Sequence, residues 1–310
     1  MPLETPTVFF IYKRLELAEV VFREIAAVQP KQLFIIADGP KTIDEKNDCQ
    51  QTRQRTLDLI TWKCDLKINF SETNLGCRRR ISSGLNWVFS HVNEAIILED
   101  DCLPNASFFN FCQTLLEYYR SDTRIWMISG DNFQRGRQRG NGSYYFSYYP
   151  HCWGWATWKR AWQNYDDDLH TWSDFKDLEC LKSIFQNPTE LKYWENIFDN
   201  LEKNGQPDSW AYRWAYSCWK NNAMTILPKT NLVSNIGFGK NSTHTHNSSN
   251  PVANLATKSI LLPLKHPSFI IRDHKADEYT FEHVFGDSKD RNRFKERLLK
   301  ILKKPLKHWS

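Results

Sequence analysis

The stretch Ala95-Ile96-Ile97-Leu98-Glu99-Asp100-Asp101 runs an apolar segment straight into three carboxylates. A strand that is apolar at every position is buried on both faces, which places it inside a parallel sheet with its acidic end at the sheet's carboxyl edge. Ligands of open α/β sheets bind at that edge. Three adjacent like charges repel unless a cation sits among them. Carboxylate oxygens are hard ligands suited to Mn2+ or Mg2+, ions that bridge protein carboxylates to substrate phosphates. The plainer reading is a solvated acidic turn, and the strand in front and the motifs around it weigh against that.

Working outward, apolar runs alternate with helix-period segments through the first half, the βαβ pattern of a mostly parallel central sheet flanked by helices. Val8 to Tyr12 reads as the first strand, and Leu17, Val20, Val21, Ile25 and Val28 mark a helix face. Leu33 to Ala37 is a second buried strand that stops at the turn Asp38-Gly39-Pro40. A helical stretch around 55–60 leads to a period-two strand through Leu66, Ile68 and Phe70, followed by a helix from about Arg78. After the acidic strand, Phe108, Phe111, Cys112, Leu115, Leu116 and Tyr119 line a helix, and Ile125 to Ser129 forms a further strand. The loop 134–142, rich in Gln, Arg and Gly, separates a first half (1–133) from an aromatic-rich half (143–265). Residues 266–310 read as a C-terminal extension.

A chain of 310 residues buries a full core as one large or two intimate domains. No apolar run approaches the roughly 18 residues of a membrane span, and no signal-peptide pattern opens the chain, so a cytoplasmic location is expected. The eight cysteines show no C-x-x-C pair, which fits free thiols rather than a disulfide framework or structural zinc. The net charge of +5 is concentrated at the end: residues 290–310 hold eight Lys or Arg against Asp290 and Glu296. The near-neutral body argues against a nucleic-acid enzyme. In the tail the basic residues interleave with Phe294, Leu298, Leu299, Ile301, Leu302, Leu306 and Trp309, the pattern of a helix that docks on an anionic membrane or packs on the body.

The second half is dense in aromatics from Tyr148 to Trp158, and Asp208 precedes a Trp-rich helical segment, Trp210 to Trp214. The default use of large aromatics is core packing, although their faces also stack on sugars. Asp166, Asp167 and Asp168 read as a solvated turn. Arg78, Arg79 and Arg80 open a helix whose free N–H groups favour phosphate; one of them is expected to face it, the others solvent. Gly237-Phe238-Gly239-Lys240 lacks P-loop spacing and no G-x-G-x-x-G follows a strand, so nucleotide chemistry of those kinds is not supported. His244 and His246 have strand zinc spacing without a third ligand.

Together these blocks resemble the GT-A class of nucleotide-sugar glycosyltransferases, most closely the inverting N-acetylglucosaminyltransferase I type, over residues 7 to 245. Five blocks recur in order: Glu99-Asp100-Asp101 followed by Pro104 and Phe108-Phe109; Ser129-Gly130-Asp131-Asn132; Pro150 to Trp155; Asp208 to Trp214; and Phe238 to His244. The resemblance implies a GT-A fold and transfer of a sugar from a nucleotide-diphosphate donor, a UDP-sugar in the first instance, to a glycan or lipid-linked acceptor, with inversion. It implies Asp101 as the ligand of Mn2+ or Mg2+, Asp100 near the ribose, Glu99 near the donor sugar, Asp38 as the base-recognising acid and Arg14 near the nucleotide. Arg78 then faces the diphosphate, Asp208 is the general base, and His244 covers the phosphates or completes the metal shell. The resemblance makes 1–133 the nucleotide-sugar-binding half and 143–265 the acceptor half. Animal members carry an N-terminal anchor that this sequence does not show, so a different acceptor is expected; Trp153 to Trp158 and the tail have no counterpart in the family pattern, so sugar and linkage are not carried over. A cytoplasmic enzyme of surface-polysaccharide assembly, peripheral at the membrane, is the expected setting. Two other readings remain: a carbohydrate-binding protein of the same fold without activity, and a sugar nucleotidyltransferase.

Overall fold

The computed structural model describes residues 2–238 and 252–286. His244 and the basic tail 290–310 lie outside the described residues. The first half alternates strand and helix as its periodicity predicts: β1 (Thr7–Ile11), α1 (Leu15–Val28), β2 (Gln32–Ala37), α2 (Glu45–Asp58), β3 (Asp65–Phe70), α3 (Gly76–Phe89) and β4 (Glu94–Glu99). The short β5 (Cys102–Pro104), α4 (Ala106–Tyr118), β6 (Ile125–Ser129), β7 (Tyr144–Ser147) and β8 (Trp155–Trp158) follow. Then come α5 (Lys159–Trp162), α6 (Trp172–Asp177), α7 (Cys180–Ile184), α8 (Pro188–Asn204), α9 (Trp210–Lys220), β9 (Met224–Pro228), β10 (Val233–Asn235), α10 (His274–Thr280) and a π-helical turn, Phe281–Phe285.

The architecture is α/β, with one eight-stranded sheet in the order β3-β2-β1-β4-β8-β6-β9-β7. β3, β2, β1 and β4 run parallel, and β8 enters antiparallel between β4 and β6, so the sheet draws strands from both halves of the chain. Alternation along β1 sends Phe9 and Ile11 to one core layer, under α1 and α4, and Val8 and Phe10 to the other. That second layer holds most of the tryptophans. Trp155 stacks on Trp210 at 5.3 Å, and Trp162 lies 5.2 Å from Trp214. Core packing thus absorbs much of the aromatic content.

Two features of the topology position a site. The carboxyl ends of β1, β2, β3 and β4 fall on one edge, with Ile11 beside Ala37, Ala37 beside Phe70, and Phe10 beside Glu99. Strand order also reverses at β1, whose connections lead to β2 on one side while β4 lies on the other, and a crevice forms at such a switch point. Beyond it, β5 pairs with β10, and the Ile236 N–H donates to the Asp101 carbonyl at 2.8 Å, which fixes Gly237 and Phe238 over the acidic turn. All eight cysteines are free.

Candidate active site at the carboxyl edge of the sheet

At the switch point the acidic triplet splits by side. Asp100 turns inward, 3 % exposed, where its carboxylate accepts from the Arg14 guanidinium and from the Tyr12 N–H at 3.4 Å. Glu99 and Asp101 turn toward a cleft of about 500 Å³ that Arg14 also lines. Arg14 bridges the two aspartates, reaching Asp101 at 2.9 Å. The cation that three adjacent carboxylates require is therefore supplied in part by the protein, from the turn just after β1. Burial, then the neighbouring Asp101 and Asp100, push the Glu99 carboxyl up to about 8. Burial also raises Asp100, with Arg14 opposing it. Asp101 packs so closely on Gly237 that any side chain there would overlap its carboxylate.

Asp38 ends β2 on the same edge, but its oxygens are committed within the protein. They accept from the N–H groups of Gly39 (2.9 Å), Leu75 (2.9 Å) and Gly76 (3.0 Å) and from the Asn74 amide (3.1 Å). Four donors fill the lone-pair sites of a carboxylate. Asp38 thereby shapes the turn that starts α3, and it does not line the cleft. Gly76 in that turn has φ +77°, a conformation that favours glycine.

Of the three arginines that open α3, Arg79 is exposed and Arg80 is buried. The guanidinium of Arg80 donates to the Asn69 carbonyl and side chain, both at 2.8 Å, so the expectation of a solvated Arg80 is corrected by the backbone acceptors of β3. Arg78 lies between Asp208 (3.3 Å) and Asp167 (3.4 Å). Asp208 is half-exposed and stands at the rim: Pro207 and Ser209 on either side of it line the cleft, while its own carboxylate faces Arg78. The run Asp166 to Asp168 is likewise not simply solvated. Asp166 is buried, bound to Lys220 at 2.7 Å and to His170 at 2.8 Å.

The opposite wall of the cleft is aromatic. Tyr149, Trp194 and Trp219 form its floor, with the half-buried Trp153, Tyr193, Tyr212, Phe238 and Phe285 nearer its mouth. Tyr149 donates its hydroxyl to the buried Glu190 and accepts from the Trp194 indole at 3.0 Å. Two polar groups of this wall had no role in the sequence reading. Asp131, 1 % exposed, accepts from the Trp153 N–H at 3.0 Å, and burial raises its carboxyl well above the usual range. His151 stacks on Phe133 at 4.4 Å and burial pushes it down to about 3. Among the described residues, Asp131 Oδ1 and both His151 ring nitrogens have no hydrogen-bond partner. The signal for Asp131 was its place in the Ser129 to Asn132 turn; nothing distinguished His151 from its aromatic surroundings.

Among the described residues no three His, Cys, Asp or Glu side chains converge as a metal cage. A divalent ion of the Mg2+ type uses one or two carboxylates and completes its shell with phosphate and water. Asp101, with Glu99 beside it in the cleft, fits that donor set.

No family model matches the sequence, and no curated protein matches it. Among solved structures, the chain is similar to a cytidylyltransferase from Leptospira borgpetersenii serovar Hardjo-bovis, at 12 % identity over 66 % of this chain and 73 % of that one, with a TM-score of 0.32. It is also similar to a UDP-glucose pyrophosphorylase complexed with UDP-glucose (8 % identity, 52 % of this chain and 78 % of that one, TM-score 0.31). A third is the galactosyltransferase LgtC in complex with donor and acceptor sugar analogues (12 % identity, 55 % and 65 %, TM-score 0.31).

Proposed function

We propose that this chain transfers a sugar from a nucleoside-diphosphate donor to an acceptor hydroxyl in the presence of Mn2+ or Mg2+. The observation that carries the reading is the placement of Glu99 and Asp101 at the carboxyl edge of β4, at the switch point, in a cleft whose other wall is aromatic. One side of such a cleft suits a diphosphate and its metal, the other the faces of sugar rings.

Asp101 is the residue assigned to hold a divalent ion, which would supply Lewis acidity and offset negative charge on a diphosphate leaving group. Arg14 holds Asp100 and Asp101 in place and presents positive charge beside them. Asp100, pinned away from the cleft, acts through Arg14 rather than on a ribose. Asp38 is assigned to shaping the start of α3, since its hydrogen bonds leave no capacity for a base. Asp208, at the rim, is the general base for the acceptor hydroxyl, with Arg78 orienting it. Direct displacement by that hydroxyl inverts the anomeric centre. A glycan or lipid-linked acceptor stacks on the aromatic wall.

The test is a panel of nucleotide sugars incubated with the protein and Mn2+, with nucleoside diphosphate and free or transferred sugar as products. Release of nucleoside diphosphate that stops on chelation supports the reading. Pyrophosphate released from a nucleoside triphosphate would assign the site to nucleotidyl transfer instead. Sugar binding that ignores chelator, without turnover of any donor, would leave a binding module.

A further inference from the structure

Away from the cleft, residues 258–273 form a strap over the outer edge of β7, the last strand of the sheet. The strap is fastened by the Ser143 N–H on the Lys265 carbonyl (2.7 Å), the Lys265 N–H on Ser143 Oγ (2.9 Å) and the Asp273 N–H on the Phe146 carbonyl (2.8 Å). Its other end is held where the Lys258 N–H donates to the Asn231 carbonyl at 2.9 Å. Ile260 and Leu264 point inward and are buried, and His266 stacks on Tyr118 at 4.0 Å. Four large apolar side chains of the same strap do the reverse: Leu261 is 79 % exposed, Leu262 51 %, Phe269 74 % and Ile271 69 %. So many outward apolar residues on a firmly anchored segment call for a ligand.

The exposed charges carried by the strap itself and by the neighbouring loop are basic, while Glu117 and Glu278 are exposed on the helices beside them. Residues 139–142 of the loop 134–142 share a groove with Pro267, Ser268, Phe269, Ile271 and Asp273. Across that loop and residues 258–275 the exposed charged side chains are Arg135, Arg137, Lys258, Lys265 and Lys275, with no exposed carboxylate among them. The acidic Asp273 is spent capping α10 through the Ala276 N–H at 2.9 Å, and the half-buried Arg272 is paired with Asp277 at 2.6 Å.

From these observations we infer that the strap is a docking surface for an anionic bilayer, its apolar side chains entering the headgroup boundary while the cations face acidic lipids. Nucleic acid has no use for exposed leucines. A second copy would bring like charges together, and the strap, bonded to Ser143 before β7 and to the Phe146 carbonyl within it, lies where a pairing strand would have to enter. The residues of this surface are other than those of the basic tail 290–310, and the inference stands whether or not the cleft transfers sugar.

The experiment is vesicle flotation of the full chain, with phosphatidylglycerol mixed into phosphatidylcholine against phosphatidylcholine alone. Wild type is expected to float with the anionic vesicles and to be released by salt. Each cation removed in Lys258→Ser and Lys265→Ser should lower the partition about fivefold. The pair Phe269→Ser with Ile271→Ser should lower it at least about tenfold. These positions are exposed, so thermal unfolding of the variants should match wild type. Wild type that ignores anionic vesicles overturns the inference. So does an apolar double variant that floats like wild type with residues 290–310 intact. A concentration-dependent dimer abolished by the same double variant, without vesicle binding, would make the occupant a second copy. Equal binding of wild type and double variant to a soluble polyanion would reduce the surface to a charge patch.

Discussion

Glu190 holds the floor of the aromatic wall, and its burial makes a pH-dependent prediction. The carboxyl is 3 % exposed in the first turn of α8 and accepts the Tyr149 hydroxyl. Burial pushes it up to about 7 from an ordinary 4.5, with the Tyr149 hydrogen bond and Arg272 opposing and Asp277 and Glu278 reinforcing the rise. A folded-state pKa above the unfolded one means that the folded chain binds the extra proton. The stabilisation is therefore complete below about 4.5 and is lost as pH rises through about 7. At 1.36 kcal/mol per pH unit the gap is worth about 3 kcal/mol in all. Glu190→Gln keeps an acceptor for Tyr149 and cannot ionise. Between about pH 5 and about pH 8.5 the variant should gain about 2.5 kcal/mol on wild type, or roughly 5 to 10 °C in Tm for a chain of this size. Urea denaturation at several pH values, followed by tyrosine and tryptophan fluorescence, reads this directly. Parallel stability curves for the two proteins would show that Glu190 is not held protonated by burial, and would refute the argument.

Arg14→Gln leaves buried Asp100 without its cation and should destabilise the chain by about 3–5 kcal/mol; adding Asp100→Asn should restore most of that, and strictly additive losses in denaturation would rule out the pairing. Asp208→Asn should lower kcat by about 10² to 10⁴ while donor affinity by calorimetry stays nearly unchanged. The opposite pattern moves Asp208 to the donor site. Gly237→Ala places a methyl group against the Asp101 carboxylate, an overlap of about 1–3 kcal/mol. Donor Kd should then rise about tenfold, and an unaltered Kd would show that Asp101 does not need that position.

The parallel half of the sheet was legible because buried strands and amphipathic helices write their own periods. β1, β2, β4 and the helices between them fall within a residue or two of the apolar patterns that predicted them, apart from α2, which starts ten residues before the predicted stretch. β8 was not: Trp155–Trp158 sits at the centre of the sheet, buried on both faces, inside an aromatic run (148–158) whose density hides any strand period. α8 carries its signals at its ends, with Asn187 capping through the Thr189 N–H, Pro188 at the first turn and Gly205 at the end, rather than in a long apolar period. Within the site, local sequence named the carboxylates but not their partners. The donors that saturate Asp38 come mainly from residues 74–76, and the lysine that binds Asp166 lies on α9. Charge pairs of that range are a product of the fold, and no spacing rule along the chain announces them.

The claim at the centre of this account is that Asp101, through a divalent ion, works on a nucleotide-sugar diphosphate. Its most direct measurement is the rate of nucleoside diphosphate release from a donor bound by wild type, taken with Mn2+, with chelator, and with Asp101→Asn. Release should require the metal and vanish in the variant, whose stability should remain within about 1 kcal/mol of wild type because the lost pair with Arg14 is offset by relief of the repulsion that Asp101 exerts on Glu99 and Asp100, and Arg14 keeps Asp100. Turnover at the wild-type rate by Asp101→Asn, or by wild type stripped of metal, would contradict it.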